Sequence, residues 1–149
     1  MDESASLDPV ASSETLGRFC RPDQWDQDKL RPDAIQLDDL TKTERGWSVQ
    51  RVERTSRTLA IECANQIPQI DATTASVALV DTSDVRGVRA PDGYQAFVVM
   101  ENSLADNPAH ALVFLQVTLG KGQLRLLRDR LISLIRRADM NVFRSTASC

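Results

Sequence analysis

Histidine occurs once in this chain of 149 residues, cysteine three times, and aromatic side chains fill only 5% of positions. Each shortage closes a class of chemistry. A single imidazole, His110, and three widely separated thiols, Cys20, Cys63 and Cys149, with no CxxC among them, argue against both a protein-ligated zinc site and a disulfide framework. Cys149 reads as an exposed thiol prone to oxidation before it reads as a nucleophile. The sparse aromatics, Trp25, Trp47, Tyr94 and four phenylalanines, speak against a stacking platform for single-stranded nucleic acid. No apolar run nears the roughly 18 residues of a membrane span, and the opening MDESASLDPVASSETL is acidic and polar where a secretory signal is basic and then apolar. A cytoplasmic protein away from membranes is therefore expected.

What is present is the composition of a soluble globular domain, 42% hydrophobic and 26% charged. One core suffices at this length, since such a domain buries about 68–70% of its unfolded surface without staples. The net charge of −3 hides a polarity: residues 1–50 carry 11 acidic and 6 basic side chains, whereas residues 121–149 carry 2 and 7. A basic end of this kind suits an acidic partner or nucleic acid, or is neutralised within the fold by the acidic first third.

Residues 1–16 have few apolar groups and no periodicity, and are expected to form a disordered acidic arm ahead of a single domain over 17–149. Two Arg-Pro-Asp settings, at Arg21 and Arg31, predict turns laid over the core and anchored by Phe19, Trp25, Leu30, Ile35 and Leu37. ERGWSVQRV suits a short edge strand. In TSRTLAIECANQI, Ala60, Cys63, Ala64 and Ile67 lie at helical spacing with Thr55 or Ser56 as N-cap and Pro68 as stop, although Leu59, Ile61 and Cys63 also alternate as in a strand; helix is favoured. SVALVD predicts a buried strand, followed by one helical turn capped by Ser83 and ended by Gly87. YQAFVVME and HALVFLQVT are the best strand candidates, and their short connection makes them antiparallel. Gln123 to Arg137 predicts an amphipathic helix with Leu124, Leu127, Leu131, Leu134 and Ile135 in one arc, Arg128 snorkelling from it, and Arg125, Arg130, Arg136 and Arg137 outside it. The expected fold is α+β: an antiparallel sheet of three or four strands with helices on one face.

No chemical motif is complete. Gly120-Lys121-Gly122 lacks both the GxxxxGK[ST] and GxGxxG spacings and reads as a turn. Asp38 with Asp39, and Asp81 with Asp84, lack the further oxygen ligands of a cation loop and read as solvated turns and caps, so no cofactor or metal is expected. His110 has Asp106 and Ser103 nearby but no triad by spacing. At the first position of a strand after an Asn-Pro turn, it is expected to hydrogen-bond back across the loop.

Three stretches, LRPDAIQLDDLTKTERGWSVQR, SVALVDTSDVRGV and ENSLADNPAHALVF, resemble the pattern of small uncharacterised bacterial proteins in which a Ser-Val segment, a short Val-Arg turn and an Asn-Pro-Ala-His-Ala segment precede a final helix. The resemblance runs from Leu30 to Arg137, and Asn107 to Ala111 is its specific piece. It implies that NPAHA is a signature of the fold and carries no established activity. Proteins of this kind look like accessory components, some travelling with bacterial conflict or defence genes.

Three functions compete. The favoured one is a small accessory or adaptor protein that docks on a larger protein through a sheet edge or the last helix, with Leu126, Arg130, Arg136 and Arg137 at the contact. The second is nucleic-acid binding through Lys121, Arg125, Arg130, Arg136, Arg137 and Arg144, which the overall acidity disfavours. The third is an enzyme centred on His110 with Asp106.

Overall fold

The computed structural model describes residues 9–41, 46–116 and 118–143. Arg144 and Cys149 lie outside the described residues. Among the described residues eight strands and four α-helices follow in order: β1 (Thr15–Cys20), the hairpin β2 (Trp25–Asp26) and β3 (Lys29–Leu30), α1 (Leu37–Thr41), β4 (Trp47–Arg51), α2 (Arg57–Asn65), β5 (Ser76–Asp81), α3 (Thr82–Gly87), β6 (Phe97–Glu101), β7 (His110–Leu115), α4 (Lys121–Leu134) and β8 (Arg136–Asp139). Six of the strands form one antiparallel sheet in the order β6-β7-β4-β1-β5-β8. The class is α+β as expected, but the sheet is larger than the three or four strands predicted, because β1 and β8, TLGRFC and RRAD, carry no local strand pattern.

β1 is the more informative addition. Its sequence, TLGRFC, has no run of β-branched residues, yet it pairs with β5 over all six residues, Thr15↔Asp81 to Cys20↔Ser76. Long-range pairing overrides its weak local preference. Order also begins earlier than the expected boundary at residue 17. Val10 and Leu16 are buried, Val10 N–H donates to the Val99 carbonyl at 3.1 Å, and Arg86 donates to the Val10 carbonyl. Residues 9–16 of the expected arm are therefore folded.

β4 lies between β7 and β1, an interior place rather than the predicted edge. Gly46, at φ +64, leads into it, and a Cβ there would meet Leu112 Cβ at 2.8 Å. Only glycine satisfies both the left-handed backbone and that close approach.

Alternation along the strands divides the side chains between two faces. Leu16, Trp47, Val49, Ala78, Val80, Phe97, Val99, Ala111 and Val113 build the main core with the buried stripe of α4, Leu124, Leu127, Leu131 and Ile132. Phe19, Val77 and Leu79 build a smaller core on the other face with Ala60, Cys63 and Ala64 of α2 and with Phe143. Helices therefore cover both faces, not one.

The helical reading of residues 57–65 holds: Ser56 is the N-cap, its hydroxyl accepting from Leu59 N–H at 3.3 Å. The single turn after β5 begins at Thr82 with Asp81, not Ser83, at the cap position. The last helix ends at Leu134, three residues short of the predicted Arg137. Arg136 and Arg137 instead open the edge strand β8, where Arg136 reaches Asp81 at 3.0 Å and Arg137 donates to the Gln27 carbonyl at 2.7 Å. Charged side chains on a four-residue edge strand hinder pairing with another sheet.

Both Arg-Pro-Asp settings form 3-10 turns, Pro22–Gln24 and Pro32–Ala34; Ala34 of the second is buried in the main core, whereas none of the residues of the first is buried. Trp25 Nε1–H donates to Ser76 Oγ and the Arg137 guanidinium sits 5.2 Å from the Trp25 ring centre, which ties the β2–β3 hairpin to the sheet.

Candidate functional site

His110 and Asp106, and the α4 residues Leu126 and Arg130, fall on two surfaces on opposite faces of the sheet. His110 and Asp106 line a cleft of about 360 Å³ on the face that carries α2. Its floor comes from β1, β4 and β7 and its walls from α2 with the segment 66–70 and from the 104–107 loop. The floor forms where β1 and β4 part. They pair only at Leu16↔Arg51 and Gly17↔Gln50, whereas β4 continues along β7 from Gln50↔His110 to Trp47↔Val113. Arg18 spans the opening, donating to the Ser48 carbonyl at 2.8 Å with its guanidinium 5.8 Å from the Trp47 ring centre. Gly17 keeps the floor low: a Cβ there would meet Val77 Cγ1 at 2.8 Å.

His110 is the first residue of β7 and is buried. Its Nδ1 lies 3.0 Å from the Asn102 carbonyl, across the loop as the sequence predicted. A carbonyl only accepts, so Nδ1 carries the proton and the neutral ring presents Nε2 as an acceptor. Burial pushes the imidazole below its ordinary value of 6.5; the bond to Asn102 opposes this and the nearby Arg18 charge reinforces it. The loop is held by bonds of its own, Leu104 and Asn107 exchanging backbone hydrogen bonds at 3.0 and 3.1 Å and Ser103 Oγ donating to the Pro108 carbonyl at 2.7 Å.

Sequence reasoning did not connect Cys63 or Gln50 with this loop, yet both line the cleft. Cys63 donates to the Asp106 carbonyl at 3.7 Å, linking α2 to the loop. The cleft thus gathers a thiol, an imidazole and a carboxylate without wiring them as a nucleophilic unit. Burial, followed by the charges of Asp106 and Glu62, pushes the Cys63 thiol up, whereas an attacking cysteine needs a lowered value. His110 is committed to Asn102 on one nitrogen, so no relay from Asp106 through the ring to Cys63 is formed. Gln50 is only 5% exposed and its Oε1 has no donor among the described residues.

The second surface is the outer side of α4. Leu126 is 65% exposed and, with Arg89, Ala90, Pro91, Gln123, Leu127 and Arg130, lines a groove of about 410 Å³. Arg130 also borders a shallow groove along α3 with Ser83, Asp84 and Gly87. Lys121 and Arg125 are exposed on the same helix. Arg128 is half-buried with Nε 3.3 Å from Asp129 Oδ1, its head at the rim of the interface as predicted. The expected set Leu126, Arg130, Arg136 and Arg137 is not a single face, because the last two lie on β8 and are engaged with Asp81, Gln27 and Trp25. The described members of the nucleic-acid set divide in the same way, Lys121, Arg125 and Arg130 on α4 and Arg136 and Arg137 on β8.

Among the described residues no three His, Cys, Asp or Glu side chains are gathered to hold a metal ion. Among the same residues no helix is long and apolar enough to cross a membrane. No family model, curated protein or solved structure matches the chain.

Proposed function

We propose that the protein is a small cytoplasmic accessory or adaptor protein that docks on a larger protein through the outer face of α4. The observation that carries this reading is Leu126, a large aliphatic side chain 65% exposed in mid-helix beside a groove floored by Ala90, Pro91 and Leu127. An apolar surface rimmed by charge is the usual make-up of a protein contact. The rim here is cationic: Arg89 and Arg130 are exposed and have no ion-pair partner among the described residues. The partner segment that suits this groove presents an apolar side chain flanked by carboxylates.

The test compares capture from the native host by the tagged protein and by a Leu126→Asp, Arg130→Glu variant. Both changes lie on the surface, where substitutions alter stability by about 0.5 kcal/mol or less. One protein captured by the wild type and lost in the folded variant is the expected result. Recovery of nucleic acid that high salt releases, with no protein, would transfer the function to the basic side chains Lys121, Arg125 and Arg130.

A further inference from the structure

We infer that the cleft between α2 and the 104–107 loop is a binding site for a small planar heterocycle that presents two neighbouring N–H donors, the edge formed by N1–H and the 2-amino group of guanine. Two acceptors on the floor carry the assignment. Gln50 and His110 are directly paired across β4 and β7, so their side chains leave the same face of the sheet side by side. Among the described residues the Gln50 carbonyl oxygen is buried without a donor, a deficit that a ligand donor removes. The bond from His110 Nδ1–H to Asn102 fixes the tautomer, so Nε2 is the second acceptor.

Donor pattern then narrows the ligand. A base that places a donor beside an acceptor, as adenine and cytosine do, pairs with the Gln50 amide alone, through its oxygen and its NH2 group, and leaves His110 Nε2 without a donor. Two adjacent donors satisfy both. A neutral donor edge also suits the Arg18 charge beneath the floor better than an ammonium or guanidinium group would. Flatness is read from the mouth: Ile67 and Leu104, from the two walls, are 42% and 44% exposed and line the cleft, giving a ring two aliphatic surfaces. The volume of about 360 Å³ falls within the range of small-ligand sites. Gly17 below and the loop braced by Ser103 and Cys63 leave the space formed before any ligand arrives.

This cleft shares no lining residue with the groove beside α4. It is tested by titrating the isotope-labelled full chain with guanosine 5′-monophosphate, and separately with adenosine 5′-monophosphate, which carries the same sugar and phosphate. Saturable shifts of the Gln50 side-chain amide and the His110 ring with the guanine nucleotide, and affinity at least about tenfold weaker for the adenine nucleotide, are expected, tenfold being the effect of one lost hydrogen bond of about 1.4 kcal/mol. Gln50→Leu, whose fold is checked by its amide spectrum, is expected to lose at least tenfold in affinity, and His110→Phe likewise. No shifts at these residues up to millimolar nucleotide, equal affinity for both nucleotides, or undiminished binding by a folded Gln50→Leu variant would each overturn the assignment.

Discussion

Two buried ionisable sites set how single residues respond to pH. His110 is held neutral, chiefly by burial, so below its ordinary value of 6.5 the unfolded chain takes up a proton that the folded chain refuses. Its contribution to stability is whole above about pH 6.5 and is lost as the pH falls toward the lowered folded value. Glu14 acts in a lower window. Burial pushes its carboxyl up, but the Arg51 guanidinium, at 2.7 and 2.8 Å, and the Ala11 N–H outweigh that and leave it below its ordinary 4.5. Between pH 7.5 and 5.5, therefore, the urea midpoint of the wild type should fall more than that of His110→Gln. Parallel curves would show that the imidazole is not held neutral. Arg51 also reaches Glu101 at 3.0 Å, and its removal strands a buried carboxylate. Arg51→Ala should cost about 3–5 kcal/mol, against about 1 kcal/mol or less for the half-exposed pair of Arg136 and Asp81; urea unfolding of the two variants measures the contrast.

Among the elements, α2 forms a wall of the cleft and depends on its cap. Ser56→Ala should cost about 1 kcal/mol in urea unfolding, and amide exchange should quicken first in the turn from Arg57 to Ala60, where the lost acceptor leaves a backbone donor free. α2 was legible because its cap, its spacing and its stop lie within a dozen residues. β5, β6 and β7 were legible for the same reason, with branched and aromatic side chains in unbroken runs. β1 and β8 were not, because TLGRFC and RRAD become strands only through partners distant in sequence, chiefly β5, whose two edges they occupy. The cleft follows the same division. His110 and its bond across the loop could be read from an Asn-Pro turn before a strand. The meeting of His110 with Gln50 depends on the register of β4 against β7, and that with Cys63 on where α2 lands, neither of which any local pattern records.

At the scale of the whole molecule, the first two arginines of β8 are tied into the fold, Arg136 to the Asp81 carboxylate and Arg137 to the Gln27 carbonyl. What remains is a cationic rim around Leu126 on one side of the sheet and a polar cleft on the other, separated by the main core. That separation makes the central claim, docking through α4, directly measurable in living cells of the host. A photo-crosslinking amino acid placed at Leu126, with a second chain carrying it at the exposed Gln69 beside the cleft wall, reports which side meets a protein. The account predicts a discrete protein adduct from position 126 that Arg130→Glu weakens, and none of the same mass from position 69. An adduct from position 69 alone, or the same adduct from both, would contradict it.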